Sequence, residues 1–128
     1  MPILEIRVNV DGGKSAVELK ALMQQIAQDF APLIGKPLQY VQVSLQTNQL
    51  VSFGGDGDAP CAMCSVTSIG NIDLEHNTAV SAFLSATLAK EFGVSPTRYY
   101  CRFVDVPRDH VGFSGATFAN LPAAKKDE

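Results

Sequence analysis

Pro2-Ile3-Leu4-Glu5-Ile6-Arg7-Val8-Asn9-Val10, followed by Asp11-Gly12-Gly13, decides how the chain is built. Leu4, Ile6, Val8 and Val10 alternate with Glu5, Arg7 and Asn9. Successive side chains of an extended backbone point to opposite faces, so this stretch reads as a strand with one face buried and one face wet. The Asp-Gly-Gly turn hands the chain to a second period. Leu19, Leu22, Met23, Ile26, Ala27, Phe30 and Ile34 recur at spacings of three and four, the apolar stripe of an amphipathic helix. Ser15 with Glu18 three residues on matches a capping box. Pro32 is expected to kink or end that helix, since it lacks an N–H and disfavours helical geometry at Ala31.

The same order recurs further along. After Gly35-Lys36-Pro37, a second alternating run sets Val41, Val43 and Leu45 against Tyr40, Gln42, Ser44 and Gln46. A Gly- and Asp-rich loop, Phe53 to Pro60, precedes an apolar run from Cys61 to Ile69 that Gly70 closes. A second helical stripe runs from about Asn77 to Phe92, with Val80, Phe83, Leu84, Leu88 and Phe92 in register and Gly93 at the C-terminal position. Ser95-Pro96 leads into a fourth strand, Arg98 to Val106. Gly35 and Gly93 each lead through a proline, Pro37 and Pro96, towards a tyrosine-bearing strand, so the two halves agree in register. The fold class is α+β: a tandem βαβ repeat forming one four-stranded mixed sheet, with parallel strands joined within each half and both helices on one face.

Composition bounds the remaining choices. The chain has 128 residues, 46% of them hydrophobic and 18% charged, with a net charge of −3. That supports one domain with a real core and excludes an acidic disordered chain. Mild acidity supplies no electrostatic footprint for nucleic acid. No run approaches the ~20 apolar residues of a membrane span. Glu5 and Arg7 interrupt any leader-like apolar stretch at the start. Three cysteines, Cys61, Cys64 and Cys101, cannot all pair within one chain, so reduced thiols and a cytoplasmic location are expected.

Cys61-Ala62-Met63-Cys64 has the spacing of a redox pair. On a strand, however, positions three apart face opposite ways, and a disulfide needs converging Cβ vectors, so structural thiols are expected. Neither a metal site nor a cofactor is expected, because His76 and His110 are isolated from any second ligand pair. The uncovered sheet face is mixed: polar Ser65, Thr67 and Arg102 alternate there with Met63, Ile69, Tyr100 and Val104. Such a face suits a subunit interface or a wet channel better than a face washed by solvent.

Met1-Pro2, Gly35-Lys36-Pro37 with Tyr40, Phe53-Gly54-Gly55, Pro60-Cys61-Ala62-Met63-Cys64, Ser68-Ile69-Gly70, Arg98-Tyr99-Tyr100 and Gly112-Phe113 with Thr117-Phe118 stand collinear along the chain. In these motifs the sequence resembles the macrophage migration inhibitory factor family, with its relative D-dopachrome tautomerase, of the tautomerase superfamily. The resemblance covers residues 1–119 and leaves 120–128 as a polar C-terminal tail. It implies a homotrimer of βαβ repeats whose sheets line a central channel, with an active site at each subunit boundary. It also implies keto–enol tautomerisation of small aromatic carbonyl compounds, phenylpyruvate-like or dopachrome-like, with Pro2 as the general base.

The chemistry of Pro2 stands independently of that resemblance. With Met1 removed it is a secondary amine at a terminus, a group that titrates nearer neutrality than lysine. Burial and a neighbouring cation both oppose its charged form. A neutral amine can take an α-proton from a ketone and return it to another atom. A retained Met1 would lock the nitrogen in an amide and abolish its basicity.

By matched position the resemblance makes Lys36 the carboxylate-binding cation, Ile69 a backbone contact, and Tyr100 a group reaching the neighbouring subunit's pocket. Ile3, Tyr40, Val106, Val111, Phe113 and Phe118 form the wall. Arg102 stands where macrophage migration inhibitory factor commonly has asparagine and D-dopachrome tautomerase has arginine. A guanidinium forks a carboxylate bidentately, so Lys36 and Arg102 are expected to clamp an anionic head group from different subunits; the competing expectation pairs Arg102 with Glu5. Phe113 replaces a tryptophan frequent in mammalian members. The alternative function is a cytokine-like protein with a vestigial active site, secreted without a signal peptide, whose partner is a cell-surface receptor. A third, a thiol oxidoreductase, would use Cys61 and Cys64.

Overall fold

A computed structural model of the chain describes residues 1–121. Strand β1 (Pro2–Val8), helix α1 (Ala16–Ile34) and strand β2 (Gln42–Gln46) form the first half; β3 (Ala62–Ser68), α2 (Leu74–Phe92) and β4 (Tyr99–Asp105) form the second. The sheet order is β2-β1-β3-β4. β1 runs parallel to β2 and β3 parallel to β4, while β1 and β3 meet antiparallel at the centre. The mixed sheet of two βαβ halves is thus as expected.

One face is sealed. Leu4, Ile6 and Val8 of β1, with Cys64 and Val66 of β3, pack against Ile26, Phe30 and Ile34 of α1 and Val80, Leu84 and Leu88 of α2, all nearly inaccessible. Removing such large side chains from water is the main favourable term holding the two layers together.

Element ends follow from capping. Ser15 accepts the Glu18 N–H at 3.2 Å, and Glu18 Oε1 accepts the Ser15 N–H at 3.0 Å, completing the box. Pro32, expected to kink or end α1, does not itself end it: it sits inside the last turn, and the helix runs two residues further to Ile34. Gly35 there is left-handed at φ 70°, with its N–H on Pro32 O and the Lys36 N–H on Ala31 O at 3.1 Å. That is a Schellman closure, a geometry L side chains resist. α2 begins at Leu74, three residues before the expected Asn77, because Asp73 caps it by accepting the His76 N–H at 2.9 Å. The first turn of α2 carries the exposed Leu74 and so shows no apolar stripe.

Three further departures concern the chain's periphery. Tyr40 is not in the second strand: Leu38–Tyr40 is a 3-10 turn closed by Tyr40 N–H on Pro37 O, and the strand starts at Gln42. Gly112–Phe113 (β5) and Ala116–Thr117 (β6) form a small hairpin that the sequence reading missed. Ser114 and Gly115 at its tip both have positive φ, as a two-residue primed turn demands. Leu121, in the expected polar C-terminal tail, is instead buried against Met1, Ile69 and Phe118. Asn120 is the other described residue of that tail; residues 122–128 lie outside the described residues.

Candidate functional site

The uncovered sheet face is ruled by register into three rows. Gln42, Ile3, Thr67 and Val104 form the first; Ser44, Glu5, Ser65 and Arg102 the second; Gln46, Arg7, Met63 and Tyr100 the third. Pro2 lies beyond the first row, paired with Ser68. From Ser68 to Met63, the partner of Tyr100, is five residues, about 17 Å along a strand at ~3.4 Å per residue. Pro2 and Tyr100 therefore lie at opposite ends of the strands.

The Pro2 end gathers most of the expected residues. Pro2 is buried, as is Met1, which packs with Ile69, Phe118 and Leu121 while Ile3, Val106 and Val111 lie against the cluster. Lys36, just past the end of α1, donates from Nζ to Ile69 O at 3.0 Å. The rim is aromatic: Tyr40 meets the Phe113 ring edge-on at 5.7 Å, and Phe113 stacks on Phe118 at 5.4 Å. Val111 and Phe118 are joined through the backbone, Phe118 N–H donating to Val111 O. Thus the 3-10 turn that removes Tyr40 from the strand also delivers its ring to this rim.

Sequence reasoning missed Ser68, the one fully buried polar residue among those described. Its hydroxyl donates to Met1 O at 3.2 Å, and its carbonyl accepts the Val106 N–H at 3.0 Å. It sits in the expected Ser-Ile-Gly motif, but nothing in a lone serine announces a buried hydroxyl facing the chain's first peptide bond.

Tyr100 and Arg102 stand apart from this cluster. Together with Glu5, Arg7, Phe53 and Met63 they line an open cavity of about 710 Å³ at the far end of the face. Tyr100 is 75% exposed and rests on Phe53 at 5.0 Å between ring centres. Phe53 belongs to the glycine-rich loop, which Arg98 organises by donating to the carbonyls of Phe53, Asp56, Ala59 and Pro60. Within the chain Arg102 does not pair with Glu5. Ser65 lies between them in the row, and its hydroxyl donates to Glu5 Oε2 at 2.9 Å.

The cysteines are packing groups. Cys61 precedes β3 and donates to Val51 O at 3.3 Å, whereas Cys64 faces the helices beside Cys101, its partner in register. Burial pushes both Cys64 and Cys101 up to about 12, with the neighbouring Cys101 reinforcing the effect on Cys64. Such thiols are poor nucleophiles at neutral pH. Among the described residues no cluster of three His, Cys, Asp or Glu side chains could hold a metal ion, and no helix is long and apolar enough to cross a membrane.

Two βαβ halves sharing an antiparallel seam, with a buried second-position proline at the sheet end where a lysine ammonium meets Ile69 O and an aromatic rim closes, define a class of small α+β proteins. Comparison with known proteins gives the family. The family model for macrophage migration inhibitory factor matches residues 1–119, and the chain belongs to that family. It is 38% identical over 119 residues to macrophage migration inhibitory factor of Meriones unguiculatus, covering 93% of this chain and all of that one. It is 35% identical to the Rattus norvegicus protein of the same name over the same shares. Among solved structures it is similar to the macrophage migration inhibitory factor homologue of Prochlorococcus marinus, with TM-score 0.81, 30% identity, and 90% and 97% of the two chains covered.

Proposed function

We propose that this chain is a keto–enol tautomerase of small aromatic carbonyl compounds, phenylpyruvate-like or dopachrome-like, working as a homotrimer with the Pro2 nitrogen as general base after Met1 is removed. The observation that carries the reading is the position of Lys36, whose ammonium rests 3.0 Å from the carbonyl of Ile69, one residue from the strand partner of Pro2. An amine there would be buried and beside a cation, and both conditions favour its neutral form. The neutral amine takes the α-proton of the ketone; the electron pair left behind delocalises onto the carbonyl oxygen, and the proton returns to that oxygen to give the enol. The reverse order gives the ketone. Ile3, Tyr40, Val106, Val111, Phe113 and Phe118 would hold the aryl group, while Lys36 and the Ile69 backbone fix the polar end.

Arg102 and Tyr100 would enter this site from a neighbouring copy, Arg102 clamping the carboxylate together with Lys36. Exposed Met63 and Tyr100 on the far end of the sheet face suit such an interface. The residue span 1–119 would act as the whole functional domain. A cytoplasmic location, with passage out of cells unaided by a signal peptide, belongs to the same reading. The second reading, receptor binding with a vestigial site, draws support from the relatives' shared name.

The test is phenylpyruvate tautomerisation by protein whose intact mass shows loss of Met1, measured beside Pro2→Gly. Turnover that vanishes with Pro2 supports the enzyme. An inactive wild type lacking Met1 refutes it and leaves the receptor reading, which binding to a receptor ectodomain would test.

A further inference from the structure

We infer that Asn71 is a positioning residue for the Lys36 anion site, an inference that rests on the carboxylate-binding part of the proposed function and extends it. The segment Ser68–Asn71 leaves β3 and crosses beneath the end of α1. Two hydrogen bonds lock these segments in opposite directions: Lys36 Nζ donates to Ile69 O at 3.0 Å, and Asn71 Nδ2 donates to Ile34 O at 2.9 Å. Ile34 O is among the last carbonyls of α1, which have no partner inside the helix. The helix has no basic residue in its last turn, so a side chain from another segment supplies the donor.

The contact is close as well as polar. A Cβ on Gly35 would come within 3.1 Å of Asn71 Nδ2 and 3.7 Å of His76 Nε2, so the amide lies directly over the turn that launches Lys36. Asn71 itself is left-handed at φ 58°, a conformation asparagine tolerates better than most residues. Gly70 N–H is held by Asp105 Oδ1 at 3.0 Å, which ties the same segment to the end of β4. Asn71 thus fixes the base of the Lys36 side chain while Ile69 fixes its tip. With the amide gone, the Gly35–Lys36 turn would keep its own Schellman bonds but lose its register against Ile69, and the ammonium would spread over several positions. The consequence is weaker capture of a carboxylate, with little change for a ligand that has none.

The test uses Asn71→Gly, which allows the left-handed backbone and removes the side chain with its amide. Affinity for benzoate, an aryl carboxylate with no α-proton to move, is measured by calorimetry on the chain lacking Met1, in wild type, Asn71→Gly, Lys36→Ala and the double variant. Circular dichroism checks that each variant is folded. The bond is worth about fivefold in an equilibrium constant, which bounds what its positioning effect can cost, so Asn71→Gly should bind benzoate more weakly by up to about fivefold and make no further difference in Lys36→Ala. An equal effect in both backgrounds overturns the inference, because a general loosening of the fold would not depend on Lys36. So does wild type binding benzoate no better than Lys36→Ala. A coupled pair in a protein that tautomerises nothing would instead refute the proposed function and leave the role of Asn71 intact.

Discussion

The two ends of the uncovered sheet face are built on opposite plans. At the Pro2 end, Met1, Ile69, Phe118 and Leu121 are buried, a lysine is pinned to a backbone carbonyl, and three aromatic rings close the rim. At the Tyr100 end, Tyr100 and Met63 are 75% and 61% exposed beside an open cavity bearing Arg7 and Arg102. The first end is apolar and closed, with the Lys36 ammonium at its edge; the second is open and carries two guanidinium groups beside the exposed Tyr100 ring. The difference teaches where a neighbouring copy would be needed: in the proposed homotrimer the two ends would be halves of one pocket, joined across a subunit boundary.

Breaking the Pro2 end should have the largest effect. Pro2→Gly should lower kcat/KM for phenylpyruvate by about a hundredfold or more, the usual share of a general base, measured by enol absorbance on Met1-free protein. At the other end, Arg102→Ala should raise KM for a carboxylated ketone about tenfold, since a charge-assisted bidentate contact is stronger than a neutral one. A ketone without a carboxylate should hardly change. If both substrates suffer alike, Arg102 serves the interface instead of the head group.

Gly35→Ala sharpens the comparison by disturbing only the launch of Lys36. Its φ of 70° strains any L side chain, and a methyl group there would press on the Asn71 amide at 3.1 Å, so stability should fall by about 1–2 kcal/mol, visible as a drop of several degrees in Tm. The smallest effect is expected from thiol reagents. With Cys64 and Cys101 pushed up to about 12, about one part in ten thousand of either would be thiolate at pH 8. Neither should react in the folded chain on the time that exposed thiols do. The sign with pH follows. The unfolded thiols ionise first, so these two groups favour the fold fully below about pH 9, and that contribution is lost as pH rises towards 12. A midpoint that rises across that window contradicts the burial of both.

Much of this was legible in the sequence because strict alternation and a 3.6-residue stripe report directly on which face is buried. Leu4-Ile6-Val8 and Ile26-Phe30-Ile34 meet in the core as their spacing demands. What escaped was set by tertiary contact. Nothing in Asn71 says that it will reach Ile34 O, thirty-seven residues back in the chain. The turn at Leu38–Tyr40 hid within an alternating run, since Tyr40 and Val41 keep the period of a strand while the backbone curls after Pro37. Asp73 has the chemistry of a cap, but the first turn of α2 is exposed at Leu74 and carries no apolar stripe to mark it as helix. The separation of Tyr100 and Arg102 from Pro2 required the register of β1 on β3, which no single strand's pattern supplies.

Subunit complementation tests the joined halves most directly. Pro2→Gly and the double variant Tyr100→Ala/Arg102→Ala are each made, shown to be near-inactive, then unfolded together and refolded as a mixture. The proposed homotrimer predicts that activity returns on mixing, because some boundaries would unite an intact Pro2 with an intact Tyr100 and Arg102. A mixture as inactive as its parents, though assembled to the same size, would contradict it.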